Sequence, residues 1–467
     1  MMYKHGNVFA RSFTRHDRKR FGYAAALCCS VVLLCLLAAF FHNLEHLPLH
    51  LKVLAGEDDR LLAVVEGVGG VPRGIITGKE RATEGDEPLC RITDSGPDFC
   101  DVRGQVGVRG NYSTVFSVSA REGEEVESFR VRPYTRKGNP EAMSNVREWS
   151  ILPVAADAGE IPRCTSFSGI PAVLFSAGGF AGNYFHDYAD IFVPLYLTVR
   201  SFKGEVLFLV SDMNPWWFRK FSRVLQSLSD YDIIDIDKEQ GTHCFSRVII
   251  GLQYHKELVI DHSRPPHHSM NDFRAFLRNT YSLRRDHAID LKDDNRGKRP
   301  RLLIVSRKRT RAFMNVASIT GMAEDLGYEV VMAELDYNVS RSAEIVNSCD
   351  VMMGVHGAGL TNFLFLPDHA VFIQVVPFGG VEPHARLCFG DPARQMEVQY
   401  LEYRISVNES TLIQQFRPDD VILKDPVSYH KRDWNKFKSI YLDQQNVDLD
   451  VKRFRSTLVQ AMNLLHM

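Results

Sequence analysis

Three stretches carry residues whose types and spacing could do chemistry. The first follows the apolar run Val351 to Val355: His356, Gly357, Ala358 and Gly359 come next, then Leu360, Phe363, Leu364 and Leu366 at roughly helical spacing. A strand, a glycine-rich turn and a helix start in that order make a seat for a phosphate or sugar phosphate. Glycines let the backbone approach a ligand, and the free N–H groups of a helix start hold negative charge. The same glycines also serve as a plain packing device. The second stretch is RKRTR, Arg307 to Arg311, directly after the strand-like LLIVS, in a chain of net charge -1. Guanidinium forks match phosphate oxygens, so Arg307 and Arg311 are candidates for gripping a diphosphate; a solvated basic loop is the alternative. Both loops leave carboxyl ends of strands in one expected sheet, and two phosphate-compatible loops on one edge favour a nucleotide. Glu382 and His384, after FIQVV and the turn PFGG, reach the same edge and suit a donor sugar or ribose, or simply cap a turn. The third stretch is GNYFHDYAD, Gly182 to Asp190. His186 and Asp190 lie four apart, on one helix face, where a carboxylate orients an imidazole; transfer to a sugar hydroxyl needs such a base. Capping by Asn183 and placement of Asp187 at the positive helix end account for the acids better than for His186.

Alternating elements must position these residues. Short strands are expected from Cys90 to Pro153 as an antiparallel entry. From Ala172 the pattern changes: strand 172–176, helix 184–200, strand 206–210, helix 216–228, a strand at 233–236 and another at 248–252. The charged run Arg284 to Arg301 reads as a linker, after which the alternation restarts through 302–305, 317–326, 329–333, 342–348, 351–355 and 371–376. Two doubly wound halves joined this way leave a cleft, a common place for ligands. Trp216 and Trp217 read as core in preference to a sugar platform. The loop with His262, His267 and His268 lacks an acidic or cysteine companion, so a metal site is not expected.

The ends bound the setting. The 467-residue chain is 45% hydrophobic, long enough for two or three domains, and its charge argues against a nucleic-acid partner. Gly22 to Phe41 holds 20 residues without a charge, one bilayer core in length, behind Lys4, Arg11, Arg15, Arg18, Lys19 and Arg20. A type II anchor is expected in preference to a cleaved signal peptide, with the body across the membrane. Glycosylation triplets at Asn111, Asn338 and Asn408 follow it. In an oxidising compartment Cys90 and Cys100, flanking TDSGPDF, should form a disulfide, whereas Cys164, Cys244, Cys349 and Cys388 allow several pairings. The expected division is a cytoplasmic tail 1–21, an anchor 22–41, a stem 42–88, a first domain 89–285, a linker 286–300, a second domain 301–449 and a C-terminal helix 450–467 packed back on the body.

Taken together, GGFAGNYFHDYAD, SMNDFRAFLR (Ser269 to Arg278), the Ser306, Arg307, Arg311 and Asn315 pattern of VSRKRTRAFMN, GVHGAGLTNFLFLP, FIQVVPFG and YLDQQNV resemble glycosyltransferase family 61, in particular its plant branch of xylan-modifying enzymes. The likeness covers roughly Cys90 to Leu465 and departs at His369, where a glycine is expected. It implies an α/β fold of GT-B type, two Rossmann-like domains facing a cleft behind a single-pass membrane helix, placed in the Golgi. It also implies inverting chemistry with a nucleotide-sugar donor and no obligatory cofactor or metal. By the same resemblance the second half binds UDP through the Arg307, Arg311 and Asn315 loop and the His356 to Asn362 turn, while His186 and Asp187 approach the acceptor. The implied donors are UDP-xylose or UDP-arabinofuranose and the implied acceptor is xylan. Two rival readings are a transferase acting on protein-linked glycans and a non-catalytic lumenal subunit that scaffolds other glycosyltransferases. A secreted hydrolase fits less well, since no second acid stands opposite Asp187.

Overall fold

A computed structural model describes residues 89–94, 96–119, 128–155, 163–292, 298–335, 337–430 and 433–466. The expected cytoplasmic tail, membrane anchor and stem lie outside the described residues. Among those described, no helix is long and apolar enough to cross a membrane.

The first sheet takes β1 (Cys90–Arg91), β2 (Phe99–Arg109), β3 (Thr114–Ser119), β4 (Phe129–Val131), β5 (Trp149–Ala155), β6 (Ser166–Ser168), β7 (Ala172–Ser176), β8 (Leu207–Ser211), β9 (Ile234–Asp235) and β10 (Thr242–Ile250). Its main path runs β4-β5-β3-β2-β10-β7-β8-β9, with β1 on β2 and β6 on β10. The strands from β10 through β7 and β8 to β9 are parallel. β2, however, pairs antiparallel with both β10 and β3. The expected doubly wound first half is therefore a mixed sheet, because the entry strands are fused to it along β10; the entry is itself mixed where an antiparallel one was expected, since β3 pairs parallel with β5. Two disulfides pin this half: Cys90 to Cys100 and Cys164 to Cys244. Cys349 and Cys388 are buried thiols.

The second sheet takes β11 (Arg301–Val305), β12 (Glu329–Ala333), β13 (Val351–Val355), β14 (Val371–Val376) and β15 (Gln399–Arg404), in the order β12-β11-β13-β14-β15. Every pairing in it is parallel. The chain winds outward in both directions from the pair β11 and β13, so the loops leaving these two strands flank the crevice where open α/β sheets take their ligands.

The helices that matter to the site are α1 (residues 184–199), α2 (Pro215–Gln226), α3 (Met270–Tyr281), α4 (Val316–Asp325), α5 (Val339–Asn347) and α6 (Val451–Leu464). Alternate residues of the second sheet face opposite layers. Leu302, Ile304, Val351, Met353 and Ile373 pack with Phe454, Leu458 and Ala461 of α6. Leu303, Val305, Met352 and Phe372 face a core shared with Val173, Phe175 and the α1 residues Phe185, Tyr188 and Phe192. One hydrophobic layer thus runs through both sheets.

A buried cation straps the halves together. Arg274 of α3 donates to the carbonyls of Leu364, Leu366 and Met396 and to Asp368 at 2.7 Å. α3 itself starts on a reciprocal Ser269 and Asp272 cap. His369, standing where glycine is expected, takes φ 63°, the left-handed conformation glycine adopts freely. Asn111, Asn338 and Asn408 are exposed.

Candidate active site

The first part of the site is built by the start of α1. The Asn183 side chain caps it by accepting from Phe185 N at 3.1 Å, and Asp187 Oδ1 accepts from Gly182 N at 2.8 Å. The helix then widens over Asp187–Phe192, so that Val193 N–H reaches back five residues to Tyr188 O. Single widened turns of this kind recur at functional sites. His186, Asp187 and Asp190 are all fully buried.

Asp190 is the hub. Its Oδ2 accepts from Tyr134 Oη at 2.8 Å and from Arg136 Nε at 2.6 Å, and lies 2.8 Å from His186 Nδ1. Thr135 Oγ1 holds the Asp190 carbonyl at 3.0 Å, and Arg136 continues to Glu257 at 2.9 Å. Burial works to raise the Asp190 pKa, but the Arg136 charge, with His186, outweighs it and holds the carboxyl at about 2. A carboxylate can only accept, so the proton on this contact belongs to His186 Nδ1. That assigns the tautomer: Nε2 keeps its lone pair, and among the described residues it has no hydrogen-bond partner. Burial first, then Arg136, lowers the His186 pKa against the pull of Asp190, so the ring is neutral at physiological pH. A neutral imidazole fixed through Nδ1, with Nε2 unpaired, is the arrangement of a general base.

Asp187 turns another way. Its Oδ1 also accepts from Trp217 Nε1 at 2.7 Å, inside the aromatic cluster of Phe192, Trp217 and Phe221. Burial raises its pKa to about 6, against the lowering pull of Lys220 and the two N–H donors. It secures the turn before α1, whereas His186 and Asp190 form the dyad. Trp217 is core, while Trp216 is half-buried beside Gly182.

The second part of the site lies at the β11 and β13 switch point. Arg311 is buried and donates from Nη1 to His356 O at 2.9 Å. Gly357 has φ 152°, and a Cβ built there would stand 2.6 Å from Arg307 Nη1 and 3.1 Å from Arg311 Nη1. The two loops therefore converge on one point, where a side chain in place of glycine would press on both guanidinium groups and strain the backbone. Ala358–Phe365 forms 3-10 turns where helical spacing predicted an α-helix start; over eight residues a period of 3.0 cannot be told from 3.6 by apolar spacing alone. Asn362 donates to Gly359 O at 2.8 Å and keeps a buried Oδ1 without a partner among the described residues. Gln374 Nε2 donates to His356 Nδ1 at 2.7 Å and is itself held by Tyr400 Oη at 2.6 Å.

Asn315 has a different task from its neighbours in sequence. Both ends of its amide bind the Leu449 backbone, at 2.7 and 3.1 Å, so it fastens the loop rather than facing Gly357. YLDQQNV does the same from the other side: Arg311 N donates to Gln445 O at 2.7 Å and Ala312 N to Asn446 Oδ1 at 2.9 Å. Glu382 sits half-buried past β14, its side chain making no hydrogen bond or ion pair among the described residues.

The two parts meet. Residues Tyr184–His186 pack directly on Ala358–Phe365, and the Phe389 ring lies 5.5 Å from Phe185 and 5.7 Å from His356. Sequence reasoning missed Tyr134, Arg136 and Glu257, which lie in a turn-rich stretch and a loop with no motif of their own. Gln374 did carry a signal, as a polar residue inside the apolar strand VFIQVV.

The family model described as Glycosyltransferase 61 matches residues 182–373, from the turn before α1 into β14. Alpha-1,3-arabinosyltransferase XAT3 of Oryza sativa subsp. japonica is 42% identical over 392 residues, covering 83% of this chain and 67% of that protein. Alpha-1,3-arabinosyltransferase XAT2 of the same organism is 41% identical over 383 residues, covering 81% of this chain and 65% of that protein. Beta-1,2-xylosyltransferase XYXT1, also from Oryza sativa subsp. japonica, is 39% identical over 430 residues, covering 87% of this chain and 92% of that protein. The chain thus spans about two thirds of the two arabinosyltransferases and nearly all of the xylosyltransferase. With identity at this level along most of its length, and with the dyad and the arginine-lined turn inside the matched region, the chain belongs to the glycosyltransferase 61 family.

Proposed function

We propose that the chain is an inverting pentosyltransferase that moves xylose or arabinofuranose from a UDP-sugar to xylan during cell-wall polysaccharide synthesis. We read its two sheets as the halves of a GT-B architecture, held by an N-terminal anchor in the Golgi membrane with the body in the lumen. The observation that carries the reading is the meeting of an oriented, neutral His186 with a turn flanked by Arg307 and Arg311; the arabinosyl- and xylosyltransferase relatives supply the sugar class.

The reaction is a single displacement. As the acceptor oxygen bonds the anomeric carbon, its proton passes to His186 Nε2. The bond from that carbon to the β-phosphate oxygen breaks, and UDP leaves with the electron pair toward Arg307, Arg311 and the N–H groups after Gly357. The Asp190 carboxylate stabilises the imidazolium that forms. Because Nε2 is sealed between the halves, the acceptor enters only when the α1 start parts from the 3-10 turns.

The test is a donor screen: the full-length chain is incubated with UDP-xylose, UDP-arabinofuranose and UDP-hexoses on xylo-oligosaccharides, and acceptor mass is read. A pentose increment with one donor is the expected result. Protein that binds UDP yet adds nothing to any acceptor would overturn the catalytic reading in favour of a scaffold. Arg311→Ala should lower turnover about 10²–10³-fold, the effect of losing a donor aimed at the leaving group.

A further inference from the structure

On the far side of the Asp190 hub the first half holds a cavity of about 700 Å³ that the proposed displacement does not use. Arg91, Arg103, Arg247 and Arg264 line it, facing the carboxylate of Asp101. Asp101 takes Arg247 through Nε at 2.7 Å and Nη2 at 2.9 Å, and Arg103 through Nη2 at 2.8 Å. Among the described lining residues Asp101 is the carboxylate, and Arg103 has a further partner, so the positive charge left over is that of Arg91 and Arg264. The Arg247 guanidinium lies 5.3 Å from the Phe202 ring centre and that of Arg91 lies 5.7 Å from Phe99. A guanidinium held against a ring presents its N–H edge to a planar anion; for Arg247 that anion is Asp101, whereas Arg91 makes no side-chain hydrogen bond among the described residues. Arg264 makes no side-chain hydrogen bond or ion pair among the described residues. Burial, followed by the Arg264 charge and opposed by Asp261, holds the neighbouring His255 below its ordinary value.

The cavity shares a wall with the supports of the dyad. Tyr254 forms part of its wall, and the same phenol lies in the field of Glu257, Arg136 and Asp190. Thr198, from the α1 helix that carries His186, lines it too and accepts from Gln253 N at 2.8 Å. An occupant would therefore sit in the half that supplies the base, against Tyr254 and the Thr198 end of α1. Its volume is in the range of small-ligand sites, and its charge selects an anion.

We propose that this cavity is a subsite for a carboxylated sugar unit of the acceptor glycan, gripped by Arg264 and Arg91 through its carboxylate. The proposal rests on the assignment of the first half to the acceptor, so binding is measured apart from turnover. With the full-length chain, the affinities of a neutral xylo-oligosaccharide and of the same oligosaccharide bearing one hexuronic acid are compared by calorimetry at low and high salt. Inorganic phosphate and UDP serve as competitors. The acidic oligosaccharide should bind about 10-fold or more tightly than the neutral one, with the advantage shrinking in high salt. Arg264→Gln, alone and with Arg91→Gln, should remove that advantage and leave the affinity of the neutral oligosaccharide unchanged. Equal affinities for the two oligosaccharides, or an advantage that survives both substitutions, would overturn the proposal. So would displacement of the acidic oligosaccharide by millimolar phosphate, which would make the cavity a general anion pocket. Carboxylate-dependent binding without any transfer would overturn the transferase reading and leave the subsite standing.

Discussion

Tyr134, Arg136 and His186 all converge on one oxygen of Asp190, and this decides what the imidazole can do. The contact fixes which ring nitrogen carries the proton, and the Arg136 charge keeps the ring from taking a second one before substrate arrives. His186→Ala should lower kcat about 10²–10⁴-fold with little change in donor KM, measured on a purified acceptor. Asp190→Asn, which leaves the ring in place but its tautomer unspecified, should lose most of the same rate. In the wild type the acid limb of the kcat/KM profile should fall below 6.5, the ordinary imidazole value, because the neutral form persists to lower pH. Asp187 gives a separate signature, read in stability. Its folded pKa, about 6, lies above the ordinary 3.8, so its contribution is complete below 3.8 and is lost as pH rises through 6. That loss is about 3 kcal/mol by pH 8. Asp187→Asn keeps an acceptor for Gly182 and Trp217 but does not ionise. Melting curves from pH 4 to pH 8 should therefore show the variant gaining on the wild type as pH rises; parallel curves would refute the assignment.

At the scale of elements, the strands flanking the switch point were legible because parallel strands covered on both faces read as unbroken apolar runs, as in Leu302 to Val305 and Val351 to Val355. The arginine and glycine loops followed from them, since a loop's place is fixed once its strand is known. Other parts of the site were not legible. Arg136 reaches Asp190 across 54 residues, and β2 pairs with β10 across more than a hundred, and nothing local marks either partner. SMNDFRAFLR was readable as a motif but not as a device. Its buried Arg274 satisfies three carbonyls of the second half, and burial, opposed by Asp368, lowers its pKa to about 10, so it stays charged at neutral pH. Arg274→Met leaves those carbonyls without a donor and should cost about 3–5 kcal/mol, read as a lower urea midpoint. Since Arg278 still holds Asp368 at 2.9 and 3.0 Å, the damage should fall on the seam between the halves. Hydrogen exchange should quicken at residues 364–366 ahead of the rest of the second sheet.

For the whole molecule, the division of labour between the halves depends on two kinds of fastening. The shared hydrophobic layer and Arg274 hold them together, while the Cys164 to Cys244 disulfide closes an 80-residue span within the first half alone. Replacing both cysteines with alanine should cost about 2–5 kcal/mol. The expected result is a lower melting temperature with donor affinity unchanged, because the arginine-lined turn belongs to the other half. A loss of UDP binding in this variant would show that the halves do not fold as separately as their sheets suggest. Composition and charge had argued against a nucleic-acid partner, and the motif order had pointed to the family. What neither could supply was a route to the Nε2 of an imidazole packed against Phe180 and Phe185.

The widened turn over Asp187–Phe192 acts as a phase shift along α1. One added residue lets the segment before it answer to the donor turn and the segment after it, Val193–Val199, answer to the core, although neither helical face would meet both demands at a uniform pitch. The helix is therefore tuned by residue count more than by residue identity. Removing a single residue in that span should close the widened turn to an ordinary α-turn and return the helix to a uniform pitch, a change that no substitution at the dyad could imitate.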